Sequence, residues 1–113
     1  MKKIIFVIVL LLCSPTLAAS TGGSADSKDS LYEGAKKLIL KAKKLEKKDK
    51  VEKALKLYSK AYDKLVKAYD KDKKSADILN YLGFTLRKAG NFEEAEKFYL
   101  IGLEIEPNHK GIN

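Results

Sequence analysis

From residue 31 onward, apolar residues recur at steps of three and four, with polar residues between them. This spacing is typical of one face of an α-helix, and the strict alternation of a β-strand does not occur there. The pattern predicts four helices, which start at Leu31, Val51, Ala76 and Phe92 and end near Leu45, Tyr69, Lys88 and Glu106. Short polar segments separate them, so neighbouring helices are expected to pack antiparallel. The predicted fold class is all-α.

Two glycines, Gly83 and Gly102, interrupt the apolar faces of the third and fourth helices. A glycine inside a helix lowers stability by about 1 kcal/mol relative to alanine, so a compensating contact is expected. In an antiparallel pair, Gly83 would lie opposite Ala95, and two small residues would let the backbones approach closely. Gly102 is expected to do the same against a following helix. Between the two helices, Gly90 and Asn91 predict a helix C-terminus followed by an N-cap.

The residues on these faces form a pattern with fixed spacing. Its members are Leu79, Leu82, Gly83 and Leu86, followed by Ala95, Tyr99, Gly102 and Pro107. The pattern resembles the tetratricopeptide repeat, in which W-x-x-L-G-x-x-Y, A-x-x-x-F and P recur with a period of 34 residues. Leu79 and Leu86 stand where that family has aromatic residues. The resemblance covers residues 76–109, and it implies helical hairpins stacked as a solenoid, with one repeat at residues 75–109.

Residues 31–74 resemble a weaker copy of the same unit. The segment DKVEKALKLY (49–58) matches GNFEEAEKFY (90–99) at a separation of 41 residues. Ala61, Leu65 and Ala68, however, match the later repeat at a separation of 34. Both separations hold if the second helix is two turns longer than usual, because seven residues preserve a helical face. We therefore predict a degenerate, lysine-rich repeat here, with an unrelated helical hairpin as the alternative.

The end of the chain raises the question of what covers the last helix. Residues 110–113 fall where a further repeat would begin. Apolar residues of the fourth helix are then expected to be partly bare, namely Phe98, Ile101, Leu103 and Ile105. Solenoids need a polar cap at each end and usually at least three repeats. Two hypotheses follow: this is the front part of a longer array, or it dimerises through that surface.

The N-terminal segment predicts export. Two lysines precede an apolar run from Ile4 to Leu12, and Pro15 and several small residues follow. This order is typical of a secretory signal peptide, and the run is shorter than the ~20 residues that span a bilayer. We predict a signal peptide at residues 1–19, a flexible polar linker at 20–30, and a location in the periplasm or cell envelope. An uncleaved anchor is the alternative.

The sequence shows no catalytic or metal-binding pattern. The chain has a single histidine, His109, and a single cysteine, Cys13, which lies in the predicted signal peptide. An ordinary zinc site needs more of these ligands, and no nucleophile–base pair or phosphate loop is visible. We predict a non-enzyme without cofactor or metal, in which His109 is a solvated loop residue. The acidic residues Glu93, Glu94 and Glu96 are assigned a structural role at the positive end of a helix.

Charge divides the chain into two halves. Residues 28–74 hold 17 lysines and 8 acidic residues, whereas residues 75–113 hold 4 basic and 6 acidic residues. The lysines are interpreted mainly as solubilising faces, and attraction to anionic lipid or to an acidic partner is the alternative. The predicted export and the single arginine, Arg87, argue against nucleic acid.

The resemblance also implies a binding surface. In this family the inner helices line a concave groove that holds a peptide or a partner's helix. The positions that would face the groove are Asp77, Asn80, Phe84, Arg87 and Lys88. Phe84 is either an exposed aromatic anchor or a packing contact with the preceding hairpin. We therefore predict a protein–protein interaction module, and the alternative is a structural or membrane-surface role of the basic hairpin, including self-assembly.

Overall fold

The computed structural model describes residues 26–112, which form four α-helices and no strand within that range. The helices are α1 (Lys28–Lys47), α2 (Val51–Lys71), α3 (Ala76–Lys88) and α4 (Phe92–Ile105). The all-α prediction is confirmed. The predicted signal peptide, Cys13 and most of the predicted linker lie outside the described residues.

The first helix begins earlier than the apolar pattern indicates. α1 starts at Lys28, three residues before Leu31, because Ser27 acts as its N-cap. The Ser27 hydroxyl accepts a hydrogen bond from the backbone N–H of Ser30 at 3.1 Å. Asp29 in the first turn adds a favourable charge at the positive end of the helix. The predicted boundary at residue 30 is therefore wrong by three residues.

The helices pack as two antiparallel hairpins, α1 with α2 and α3 with α4, and α2 contacts α3 between them. Alanines without exposed surface line the inner faces of the first hairpin, so its two backbones lie close together. Larger side chains, led by Tyr58, Leu65, Leu79 and Leu82, fill the space where the hairpins meet. This core fixes the position of α3 relative to α1.

The two hairpin turns have the same geometry. Asp49 after α1 and Gly90 after α3 both have positive φ, at 60° and 86°. In each turn the next backbone N–H bonds back to a helix carbonyl, that of Lys50 to Leu45 and that of Asn91 to Leu86, both at 2.9 Å. This is the Schellman arrangement that ends a helix with a left-handed residue. The predicted helix end at Gly90 is confirmed.

The first hairpin is an extended version of the second. α1 has 20 residues and α3 has 13, while α2 has 21 and α4 has 14, so both helices are longer by seven. The two turns are 41 residues apart, as the sequence match predicts. The elongation of α2 is confirmed, and α1 is elongated as well. Seven residues amount to about two turns, so the buried face continues without a change of side.

The prediction that Gly83 allows close packing against α4 is confirmed, but the predicted partner, Ala95, is wrong. A Cβ on Gly83 would lie 2.6 Å from Cδ1 and 2.7 Å from Cζ of Tyr99, and it would not meet Ala95 first. The aromatic ring of α4 therefore lies flat against the bare backbone of α3. A Cβ on Gly102 would lie 2.6 Å from Cδ1 of Ile112 and 3.4 Å from Cβ of Leu79. The C-terminal tail thus takes the place of the following helix that was expected there.

The tail, residues 106–112, consists of turns and packs against α3. His109 is only 7% exposed, so the prediction of a solvated histidine is wrong. Its burial follows from the path of the tail, which brings Ile112 to Gly102 and Gly111 to Asn80. None of the described helices is long and apolar enough to cross a membrane.

Candidate functional site

The predicted groove residues lie along α3 and divide into two groups. Asp77 and Asn80 lie near the start of the helix, where the C-terminal tail contacts them. Phe84, Arg87 and Lys88 lie near its end, where α1 and α2 approach. The two groups are therefore described separately.

Phe84 is the centre of an aromatic and basic cluster. Its half-buried ring packs edge-on against Tyr58 of α2, with 5.8 Å between the ring centroids. Three cationic groups surround the ring: Lys43 Nζ lies 5.0 Å from the centroid, Lys88 Nζ 5.6 Å and the Arg87 guanidinium carbon 5.7 Å. We name Phe84, Lys43, Arg87 and Lys88 the Phe84 cluster. Phe84 therefore packs on the preceding hairpin and also holds cations on its ring, which combines the two alternatives left open by the sequence.

The carboxylate of Glu46 links three helices beside this cluster, namely α1, α2 and α3. Glu46 of α1 accepts a hydrogen bond from the Tyr58 hydroxyl at 2.7 Å, and Lys88 Nζ lies 3.0 and 3.2 Å from its two oxygens. The Tyr58 hydrogen bond and then Lys88 lower the pKa of Glu46. Burial, reinforced by Glu46, raises the pKa of Tyr58. The pair is therefore held as a carboxylate and a neutral phenol at neutral pH.

Glu46 forms a close ion pair with only one of the three cations, Lys88. Within the described residues, neither Lys43 nor Arg87 forms an ion pair, and both are exposed. The cluster therefore presents, beside an aromatic ring, two positive charges that have no ion-pair partner within 4 Å among the described residues. An acidic group that approaches the ring from solvent would meet both of them.

A second aromatic pair joins α1 to α3 near the other end of the groove. The rings of Tyr32 and Tyr81 meet edge-on at 5.8 Å, and Lys36 Nζ lies 5.1 Å above the Tyr32 ring. Burial, and secondarily the negative charge of Asp77, raises the pKa of Tyr32 to about 12. Both the aromatic pair and the Phe84 cluster thus place lysines of α1 beside aromatic rings at the contact between α1 and α3.

The lysines of α1 were missed by sequence reasoning. Lys36 and Lys43 were assigned to a solubilising face, because only the core stripe of α1 was matched to the repeat pattern. Their spacing carries a signal, since residues 32, 36 and 43 lie four and seven positions apart on one helical face. The tertiary structure shows that this face borders α3.

The start of α3 is engaged by the tail. His109 Nε2 lies 2.6 Å from Oδ1 of Asp77, and the backbone N–H of Gly111 donates to His109 Nδ1 at 3.1 Å. Since Nδ1 accepts, Nε2 carries the proton and donates to the carboxylate of Asp77. Asn80 contacts the tail as well, with its side-chain nitrogen 2.6 Å from the point where a Cβ on Gly111 would stand. Of the five predicted residues, these two are therefore partly covered from within the chain.

Residues 26–112 contain no group of three or more His, Cys, Asp or Glu side chains that could hold a metal ion. The groups that the groove does present are aromatic rings, ammonium groups and a guanidinium, and these serve recognition by contact and charge.

Comparison with known proteins finds a family match for the second hairpin. Residues 76–109 match the family model of the tetratricopeptide repeat, a general protein–protein interaction module. Neither the curated proteins nor the solved structures contain a match to the chain. The family match does not extend to α1 and α2, so their origin as a degenerate repeat stays a prediction. Helices α3 and α4, with the loop to His109, therefore match a tetratricopeptide repeat, and this match covers 34 of the 113 residues of the chain.

Proposed function

We propose that the protein is an exported interaction module of the periplasm or cell envelope, which binds an extended acidic peptide along the groove between α1 and α3. The observation that carries the proposal is the Phe84 cluster, with its two unpaired cations beside a half-buried ring. Rigid presentation of this surface, and no catalysis, is the proposed mechanism.

The spacing of the lysines defines the ligand. Lys36 and Lys43 are seven residues apart on α1, which corresponds to about 10 Å along the helix axis. A peptide in the extended polyproline II conformation rises about 3.1 Å per residue and repeats every three residues, so carboxylates three positions apart lie on one side of it and would reach both lysines. The aromatic rings of Tyr32 and Phe84 lie beneath these two lysines. The preferred ligand is therefore an extended segment with acidic residues at i and i+3.

A peptide series tests this proposal. Eight-residue peptides with two glutamates spaced one to five positions apart are titrated against the purified protein at low salt, and binding is followed by calorimetry. We expect the i, i+3 peptide to bind tightest and the variant Lys43→Gln/Arg87→Gln to weaken it at least tenfold. The matched control, Lys60→Gln/Lys64→Gln, removes the same charge from another face and is expected to retain binding. Equal affinities for all spacings would contradict the proposal.

The role of the ring requires a separate variant. Phe84 packs against Tyr58, so truncation to alanine would disturb the core as well as the groove. Phe84→Leu keeps most of the volume and removes the aromatic face. We expect this variant to remain folded by circular dichroism and to bind the i, i+3 peptide several-fold more weakly. Unchanged affinity would show that the ring has no part in recognition.

The proposed location is supported by the N-terminal sequence. Its two lysines, the apolar run Ile4–Leu12 and the small residues that follow have the order of a signal peptide. The intact mass of the protein recovered from a cell-envelope fraction tests this point. A chain that starts between Ala19 and Thr21 would support export, and recovery of the unprocessed chain in the cytoplasm would contradict it.

A membrane-surface role of the first hairpin is the second candidate. It is favoured by a group of lysines on α1 and α2, namely Lys41, Lys53, Lys56 and Lys60, which lie around one groove with two leucines. None of the four forms an ion pair within residues 26–112. This role predicts co-sedimentation with vesicles that contain phosphatidylserine, and weaker binding as salt increases. Absence of binding at low salt would remove this candidate.

A further inference from the structure

A lysine-lined groove lies on the side of the first hairpin that faces away from the second. It measures about 320 Å³, and its lining consists of Lys41, Leu45, Lys53, Lys56, Leu57 and Lys60. On α2 these positions are on the opposite side from Leu55 and Ser59, which face α3. We name it the lysine groove. It is basic around a partly buried apolar floor, and no carboxylate from residues 26–112 lines it.

The other end of the molecule carries the opposite charge. Phe92, Glu96 and Leu100 recur every four residues on one side of α4, and we name them the α4 edge. Phe92 is 64% exposed and Leu100 is 54% exposed. This side lies opposite Phe98, whose ring meets Tyr69 of α2 at 6.0 Å. Among the residues described here, the carboxylates of Glu93 and Glu96 have no basic partner.

The joint between the two hairpins shows how such surfaces fit together. There α2 contributes Leu55, Tyr58, Ser59 and Tyr62, and α3 contributes Thr85, Leu86 and Ala89. The turns of the two hairpins are 41 residues apart. The residues that would form an equivalent joint with a neighbouring hairpin are therefore found by adding 41 to, or subtracting 41 from, the residue numbers. Leu55 and Ser59 shift forward to Glu96 and Leu100, which belong to the α4 edge. Leu86 shifts back to Leu45, which lines the lysine groove.

We infer that copies of this chain associate head to tail, with the α4 edge of one copy seated on the lysine groove of the next. The charges are complementary, since Glu93 and Glu96 would meet Lys41 and Lys53. The apolar surfaces are also complementary, since the exposed Leu100 would approach the floor residue Leu45. The occupant of both surfaces is therefore a second copy of the chain, which meets α4 along its N-terminal half, whereas the tail covers the C-terminal half at Gly102.

Such an association is heterologous, because two different surfaces meet. It leaves one free end of each kind, and oligomers can therefore grow beyond the dimer. The inference does not depend on peptide binding, because neither surface includes the Phe84 cluster.

A charge-swap experiment tests the inference on the protein in the processed form that cells accumulate. Two variants are made, Lys41→Glu/Lys53→Glu and Glu93→Lys/Glu96→Lys, and their masses are measured by sedimentation at several concentrations. We expect the unaltered protein to show masses that increase with concentration and decrease with salt. Each variant alone is expected to associate at least tenfold more weakly. An equimolar mixture of the two is expected to regain association, because each acidic surface again meets a basic one.

The control variant is Lys71→Glu/Lys74→Glu, which makes the same charge change roughly 16 Å or more along the hairpin from Lys60. We expect it to associate like the unaltered protein. A monomer at all concentrations up to about 0.1 mM at low salt would overturn the inference. So would a dimer that the swaps leave unchanged, or a mixture that fails to associate while both variants are folded.

Discussion

At the residue scale, one contact between α3 and α4 depends on the absence of a side chain at Gly83. Gly83 lets the Tyr99 ring lie directly on the backbone of α3, and a Cβ at this position would overlap the ring. Gly34 on α1 is also helical, but a Cβ there would meet only the flexible chain of Lys64 at 3.4 Å. A side chain at Gly83 would therefore meet a packed aromatic ring, whereas a side chain at Gly34 would meet only a flexible lysine.

Gly83→Ala is expected to destabilise the protein by up to about 2 kcal/mol. Overpacking costs about 1–3 kcal/mol, and the better helix propensity of alanine returns about 1 kcal/mol. Gly34→Ala is the control, and it is expected to stabilise by about 0.5–1 kcal/mol because no rigid group opposes the new methyl. Urea unfolding followed by circular dichroism measures both. Equal effects of the two substitutions would show that Tyr99 does not constrain Gly83.

The turn residues Asp49 and Gly90 allow a second paired prediction. Both have positive φ, which side chains other than glycine adopt at a cost. Asp49→Gly is expected to raise the free energy of unfolding by up to about 1 kcal/mol, and Gly90→Ala to lower it by about 1 kcal/mol. No atom lies within 4 Å of a Cβ placed on Gly90, so the effect there is conformational and not steric. Denaturant midpoints of the two variants should move in opposite directions, and shifts in the same direction would contradict this account.

At the element scale, the helix starts differ in how they are capped. The Ser75 hydroxyl accepts a hydrogen bond from the backbone N–H of Ile78 at 3.2 Å at the start of α3. Asn91 occupies the N-cap position of α4 as predicted, but its side chain makes no capping hydrogen bond. The residue types at positions 75 and 91 thus indicated both helix starts. Only the structure shows that Ser75 makes a capping hydrogen bond and that Asn91 does not.

Ser75→Ala is expected to destabilise the protein by about 1 kcal/mol, because one backbone donor loses its partner. Asn91→Ala, the matched substitution at the next helix start, is expected to cost less than about 0.5 kcal/mol. Chemical unfolding measures the difference. A larger loss for Asn91→Ala would show that its side chain caps α4 in solution.

The hydrogen bond between Glu46 and Tyr58 ties α1 to α2 and makes stability depend on pH. The folded-state pKa of Glu46 lies below the ordinary value of 4.5, chiefly because Tyr58 donates to its carboxylate. Its contribution is therefore present above pH 4.5 and is lost as the pH falls through the folded pKa. We expect the stability difference between the unaltered protein and Glu46→Gln to shrink as the pH is lowered from about 6 to about 3. In a Tyr58→Phe background this shrinkage is expected to be smaller, and an unchanged shrinkage would assign the effect to another group.

At the scale of the whole molecule, the concentration of positive charge in the first hairpin opposes folding. The first hairpin and its loops carry 17 lysines and 8 acidic residues, and several of these lysines have no ion-pair partner among residues 26–112. Repulsion between them opposes the compact state, and salt screens it. The elongation of both helices offsets this repulsion by burying two more turns of each apolar face.

The free energy of unfolding by urea is therefore expected to rise with NaCl, on the order of 0.5 kcal/mol between 10 and 300 mM. Urea is used because guanidinium would itself screen the charges. A variant with two fewer lysines on the first hairpin, Lys56→Gln/Lys60→Gln, is expected to show a smaller rise. A stability that falls with salt would mean that attractive ion pairs outweigh the repulsion.

The sequence alone determined the local part of this structure. The spacing of apolar residues determined the helices, because a helix face repeats every three to four residues whatever it packs against. The turn at Gly90 and the 41-residue offset of the two hairpins followed from residue types and from a match between two segments. The family pattern at residues 76–109 was also visible, because small residues at fixed spacing are required where helices approach closely.

Only the tertiary structure decided which side chains meet across helices. It placed Tyr99 on Gly83, Lys43 and Glu46 of α1 beside α3, and His109 against Asp77. These contacts join residues 16 to 42 positions apart, and they depend on the crossing of helices and the path of the tail, which helical periodicity does not encode. The composition of the groove is therefore a property of the packed hairpins, whereas the hairpins themselves are a property of the sequence.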